Sequence, residues 1–167
     1  DWSSDVCSSD LGVRSDWKAL PRRSSSFSAT VMCAVEAKKP ATGLRRIGVF
    51  GGMFDPVRLG HVAAALSVQQ SLALEKIVLI PCGNPVHRTA AQASPPERCA
   101  MVALAIADQP CLQLDRRECQ STAPSYTIDT LMALRRQEPE GSWQLLVGVD
   151  AFMGLGSWKQ WQQLLEI

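Results

Sequence analysis

The stretch Ile47-Gly48-Val49-Phe50-Gly51-Gly52-Met53-Phe54-Asp55-Pro56-Val57-Arg58-Leu59-Gly60-His61 restricts the fold more than any other part of the chain. Ile47 to Phe50 is a short apolar run, the pattern of a strand buried in a parallel sheet. Two glycines and a proline turn follow, and then an Ala-rich segment, Val62 to Leu74, that reads as a helix. A strand ending in glycines and running into a helix makes an anion site. Glycine backbone can approach a phosphate closely, and the helix start offers unpaired N–H groups at the positive end of its dipole. Many tight turns contain two glycines. Here, however, a guanidinium at Arg58 and an imidazole at His61 stand one turn apart, on one face if the helix has begun there. The segment is read as handling phosphate, with His61 donating to phosphate oxygens.

From Ile47 onward strand and helix patterns alternate. Lys76 to Pro81 is a second apolar strand, followed by a loop from Cys82 to Ala93. Ser94-Pro95-Pro96-Glu97 supplies an N-cap, proline at the first helical position and glutamate at the third, so a helix is expected through Ala107. Cys111 to Leu114 reads as a short third strand. A helix from Ile128 to Arg136, capped by Ser125 or Thr127, comes next, then a fourth strand, Trp143 to Val147, and a last helix, Trp158 to Glu166. This alternation predicts an α/β fold: a Rossmann-like parallel sheet with helices on both faces and right-handed crossovers. Ligands in such sheets lie beyond the carboxyl ends of the strands. Gly51-Gly52, the loop from Cys82, and Gly148 to Asp150 all follow strand ends and are expected to converge.

Residues 1–44 are Ser-rich, lack periodicity and are read as a disordered or artefactual lead-in, with Met32 the first plausible start; residues 45–167 are read as the domain. Residues 47–167 carry nine Lys/Arg against eleven Asp/Glu, which argues against broad nucleic-acid binding. The six cysteines form no CxxC pair and there are two histidines, so a zinc site is not expected, and Cys99 and Cys111 are read as buried, reduced core residues. No apolar run approaches the ~20 residues of a membrane span. A reducing cytoplasm is the expected compartment.

The opening stretch resembles the signature of the HxGH nucleotidyltransferase superfamily, Gly-Gly-x-Phe-Asp-Pro-x-His-x-Gly-His. Arg58 stands where the first histidine is usual, and Met53 where a hydroxyl residue is usual. Three later segments resemble the bacterial nicotinate-nucleotide adenylyltransferases within it. They are Asn84-Pro85-Val86-His87-Arg88, Ala123-Pro124-Ser125-Tyr126-Thr127, and Gly148-Val149-Asp150-Ala151-Phe152 with Gly156-Ser157-Trp158. The resemblance implies transfer of AMP from ATP to nicotinate mononucleotide, giving deamido-NAD and pyrophosphate, with Mg²⁺ accompanying ATP. It implies that His61, with Arg58 in the place of its partner, holds the ATP phosphates and stabilises charge on the α-phosphorus. It further implies phosphate or ribose contacts from Gly51, Gly52, Met53, Phe54, Asp55, Gly148 and Asp150. Substrate contacts are implied for His87, Arg88, Ser125, Tyr126 and Thr127, with Trp158 stacked on the pyridine ring. For Asp55 a role in shaping the turn stays open beside ligand contact.

The resemblance runs from about Arg46 to Glu166, whereas the family continues with another strand and a Ser/Thr-rich turn that binds ATP; the chain is therefore read as C-terminally truncated. Two rivals remain. A pantetheine-phosphate adenylyltransferase shares the superfamily signature, and a non-catalytic nucleotide-binding protein fits Arg58 and the missing end. A dinucleotide oxidoreductase fits worse, because Gly-x-Gly-x-x-Gly is absent and no acidic residue closes the second strand.

Overall fold

The computed structural model describes residues 33–35, 45–84 and 91–166. Five strands form one sheet in the order β1-β5-β2-β3-β4, with β1 Cys33–Val35, β2 Arg45–Gly52, β3 Lys76–Pro81, β4 Leu112–Leu114 and β5 Gly141–Val147. The four strands β2 to β5 run parallel to one another. The helices are α1 Leu59–Ser71, α2 Pro95–Ala105, α3 Thr127–Gln137, α4 Val149–Met153 and α5 Trp161–Leu164, with a 3-10 turn at Leu155–Ser157. The doubly covered α/β sheet expected from strand–helix alternation is present. No helix among the described residues is long and apolar enough to cross a membrane.

Alternation along each strand sorts the core into two layers. Ile47, Val49, Val78, Ile80, Trp143, Leu145 and Val147 face Ile128, Leu131 and Leu134 of α3 and Leu164 of α5. Phe50, Ile77, Leu79 and Leu146, from the opposite faces of the same strands, meet Ala65 of α1 and Val102 of α2. A continuous apolar run is what a strand covered on both sides requires. Gly48 belongs to the second layer, where a Cβ would come within 2.9 Å of Ile77 and Leu74 side chains.

Several boundaries differ from the sequence expectation. Cys33–Val35, placed with the lead-in, pairs antiparallel with β5, Cys33 opposite Val147. The outer edge of β5 offers unpaired backbone groups that an extended apolar tripeptide can satisfy. Helix α1 begins at Leu59, not Val62, and ends at Ser71 because Ala73 takes a left-handed φ of 48°. That turn buries Leu74 and lets Glu75 N donate to Arg46 O at 2.8 Å, which starts β3 beside β2. The last expected helix is broken, since Gln160 sits at φ 50° and only Trp161–Leu164 is helical, leaving Trp158 ahead of it. Trp158 and Trp161 both pack against the α3-side core. Neither Ser125 nor Thr127 caps α3; Tyr126 holds that position without a side-chain bond. Ser125 is drawn instead to the loop after β3, donating from N to Asn84 O at 3.2 Å and accepting Asn84 N at 3.5 Å on Oγ. Helix α2 begins as expected, with Glu97 accepting from Ser94 N and Oγ at 2.8 and 2.7 Å.

Gly83 carries the closest of these approaches. A Cβ there would lie 2.0 Å from Glu118 O, a backbone atom that cannot swing aside. Gly83→Ala is expected to lower unfolding free energy by about 1–3 kcal/mol, more than Gly48→Ala, whose clashes are with flexible side-chain ends. Denaturant unfolding of the two variants measures this; an unchanged midpoint for Gly83→Ala would contradict the packing described.

Candidate functional site

Parallel pairing brings three strand ends level. Gly51 pairs with Ile80 and Gly52 with Pro81 on one side, and Phe50 with Leu146 on the other, so Gly148 follows directly beside Gly52. Beyond these ends lies a cleft floored by Gly51, Gly52 and Met53 and by Val147 and Gly148. Its far wall is Ser125, Thr127, Glu118, Cys82 and Trp158. Seven residues singled out in the sequence therefore share one cavity: Gly51, Gly52, Met53, Ser125, Thr127, Gly148 and Trp158. Convergence of the β2, β3 and β5 ends agrees with expectation.

Arg58, His61, Phe54, Asp55, Tyr126 and Asp150 do not line the cleft. Phe54 is buried, its ring edge-on to Phe50 at 5.5 Å and to His61 at 5.3 Å. Asp55 uses both carboxylate oxygens on backbone N–H groups, from Gln92 at 2.6 Å and Ala93 at 3.1 Å, which tie the turn to the approach to α2. The Tyr126 ring carries Lys159 Nζ 4.5 Å from its centre, and the same ammonium pairs with Asp129 at 2.9 Å. Asp150 is exposed in the first turn of α4. His87 and Arg88 lie outside the described residues.

Arg58 is exposed at the N-cap of α1, and its role there is played by main chain. Its carbonyl accepts His61 N at 2.9 Å, and its N–H donates to His61 Nδ1 at 2.9 Å. With Nδ1 accepting, the neutral ring must carry its proton on Nε2. Burial first, and the Arg58 charge second, hold the His61 pKa below its ordinary 6.5. At neutral pH the residue is thus a neutral Nε2–H donor beside a fixed cation. Because the bond from position 58 is a backbone one, the tautomer does not depend on which side chain stands there.

The thiol of Cys119 donates to Pro81 O at 3.4 Å, and burial, with a contact to Cys99, pushes it up to about 12. A protonated thiol is no nucleophile at neutral pH. Cys99 is buried as expected, while Cys111 is half-buried.

Two residues near the site were not picked out in the sequence. Glu118 lines the cleft and accepts the Thr130 hydroxyl at 2.7 Å; it lies in an aperiodic loop that gave no signal. Arg98 is 1% exposed and bonds the carbonyls of Met53 and Gly83. Its signal was a charge on the buried stripe of α2, beside Cys99 and one turn before Val102.

Comparison with known proteins adds the family context. The model of the family described as Cytidylyltransferase-like matches residues 49–167. A protein of Hydrogenovibrio crunogenus named probable nicotinate-nucleotide adenylyltransferase is 44% identical over 123 residues, 74% of this chain and 59% of its own. One from Pseudomonas putida with the same name is 44% identical over 128 residues, 75% of this chain and 58% of its own. The chain thus spans less than two thirds of the length of these relatives. Among solved structures, nicotinic acid mononucleotide adenylyltransferase of Plasmodium falciparum complexed with NaAD aligns with TM-score 0.62. Its sequence identity is 18%, over 72% of this chain and 60% of that one, which supports the fold.

The His61 environment can be tested directly. Below about 6.5 the unfolded chain binds the proton that the folded site resists, so His61 withdraws stability as pH falls through 6.5. An NMR titration of the imidazole is expected to give a midpoint under 6.5, and Arg58→Gln to raise it only part of the way, because burial is the larger cause. A midpoint at or above 6.5 would contradict the buried, neutral donor.

Proposed function

The chain belongs to the cytidylyltransferase-like family, and on that premise we propose that it acts as a nicotinate-nucleotide adenylyltransferase. The observation that carries this reading is convergence. Segments more than 70 residues apart, Gly51-Gly52-Met53 and Ser125 and Thr127 with Trp158, meet in one cleft at the carboxyl ends of β2, β3 and β5. The first is a phosphate corner in chemical type, and the others offer first-turn amides of α3 and an indole. The relatives' names agree with such a pairing of substrates.

In this reading ATP lays its triphosphate on the β2–α1 corner. A phosphate oxygen of nicotinate mononucleotide attacks the α-phosphorus, the new P–O bond forms, and the α–β bridge bond breaks with its electron pair leaving on pyrophosphate. No protein nucleophile is required. What the protein supplies is alignment and fixed positive potential. The amides of Gly52 to Phe54 and the Nε2–H of His61 donate to phosphate oxygens, and Arg58 adds a permanent charge. Gly148 and Asp150 border the nucleotide ribose. The amides of Tyr126 and Thr127 receive the nicotinate carboxylate, Ser125 sets that wall, and Trp158 stacks on the pyridine ring. His87 and Arg88 are assigned to the mononucleotide phosphate. Mg²⁺ enters as part of the MgATP substrate. The corner's donors are N–H groups, and both oxygens of Asp55 are already engaged by Gln92 and Ala93, so phosphate oxygens and water are the fitting ligands. The working compartment is taken to be the cytoplasm.

The assay is deamido-NAD formation from ATP and nicotinate mononucleotide. His61→Ala is expected to lower kcat by about 10²-fold or more with little change in melting, and equal turnover by His61→Ala would overturn the assignment. Arg58→His is expected to be faster than the native residue, since a guanidinium places its donors farther out than an imidazole; no gain would show the substitution to be neutral. Replacing nicotinate by nicotinamide mononucleotide is expected to cost about tenfold or more in kcat/KM, since a carboxylate-binding wall loses its charged partner. Equal use of both would defeat the acid-selective wall. ATP binding without turnover in every form would favour the non-catalytic rival.

A further inference from the structure

Arg98 is a cation almost completely removed from solvent, at 1% exposure, and such a group must satisfy its N–H donors internally. Its acceptors are three main-chain carbonyls: Met53 O at 2.8 Å, Gly83 O at 3.2 Å and Ala93 O at 3.2 Å. Among the described residues no carboxylate forms an ion pair with it. The three carbonyls belong to three different segments: the turn after β2, the loop after β3, and the lead into α2. Asp55 closes the same junction from the turn's side through Gln92 N and Ala93 N.

The Met53 carbonyl is one half of a peptide unit whose other half is the Phe54 N–H. A trans peptide is planar with C=O and N–H pointing opposite ways, so drawing the carbonyl toward Arg98 turns the Phe54 N–H away from it. Phe54 has φ 49°, a backbone conformation that a bulky side chain rarely adopts, and its ring is packed 3.3 Å from where a Cβ on Gly52 would stand. Among the described residues neither Met53 N–H nor Phe54 N–H has an acceptor. A buried side chain thus holds one face of a strained turn, while the donors on that turn are left unpaired.

We propose that Arg98 is the positioning residue of the phosphate corner, fixing the Met53 carbonyl so that the Phe54 amide stands as a donor to the triphosphate of the nucleotide. This rests on the reading of the β2–α1 corner as the ATP site. The guanidinium suits the task because its planar fork reaches several carbonyls at once, which an ammonium cannot do at those positions.

The test titrates ¹⁵N-labelled protein with ATP and, separately, with nicotinate mononucleotide, for native protein, Arg98→Lys and Arg98→Ala. ATP is expected to shift the Phe54 amide in the native protein. Arg98→Lys is expected to weaken ATP about tenfold, the size of one lost hydrogen bond to a charged group, while mononucleotide affinity stays near native. Millimolar guanidinium ion is expected to restore part of the ATP affinity of Arg98→Ala. Unchanged ATP affinity in Arg98→Lys, or equal losses for both ligands, would overturn the proposal in favour of a purely structural arginine. Should the variants fail to fold, the native titration decides. A Phe54 amide unmoved by saturating ATP, while Gly51 and Gly52 amides shift, would sink the role of Arg98 and leave the ATP site standing. If no amide of the corner moves, the ATP site itself is wrong.

Discussion

Parallel pairing of β2 between β3 and β5 is the constraint from which the site follows. Both faces of β2 are buried, so its register cannot slip by one residue without exposing one core layer and crowding the other. That register places Gly51 and Gly52 level with Ile80 and Pro81, one and two residues past the Phe50–Leu146 pair. The glycines are thereby delivered to the rim of the sheet, where helix α1 begins. Chemistry at this rim is inherited from packing many residues away.

The electrostatics of the corner have an unusual division of labour. His61 is held neutral by burial and by the adjacent guanidinium, so it contributes a directed Nε2–H and not a charge. Charge is supplied by Arg58, exposed at the helix cap, and by Arg98 from beneath. A neutral donor beside a permanent cation leaves a fixed positive field at the helix start. Such a field suits a reaction in which charge shifts among phosphate oxygens and no proton need be taken by the protein.

Much of this was legible in the sequence because it depends on local pattern. The apolar runs of β2, β3 and β5 and the cap at Ser94 are written in residue type and spacing. So is the glycine corner, and the remote segments that meet it were recognisable by family resemblance. What escaped was set by tertiary competition. Ser125 is a good cap residue, yet its hydroxyl is taken by Asn84 of the loop after β3, leaving Tyr126 at the helix start. The helical pattern through Leu74 is cut at Ala73 because burying Leu74 and starting β3 outweigh one more turn. Cys33–Val35 finds β5 only because an edge is available there. Arg98 was overlooked because a cation beside Cys99 reads as a helix side chain until the carbonyls around it are seen.

A crystal structure with a non-hydrolysable ATP analogue tests the central claim most directly. The triphosphate is expected over the end of β2, with oxygens within hydrogen-bond distance of the Gly52 to Phe54 amides and of His61 Nε2. A triphosphate bound elsewhere, or a β2–α1 corner left empty at saturating analogue, would contradict it.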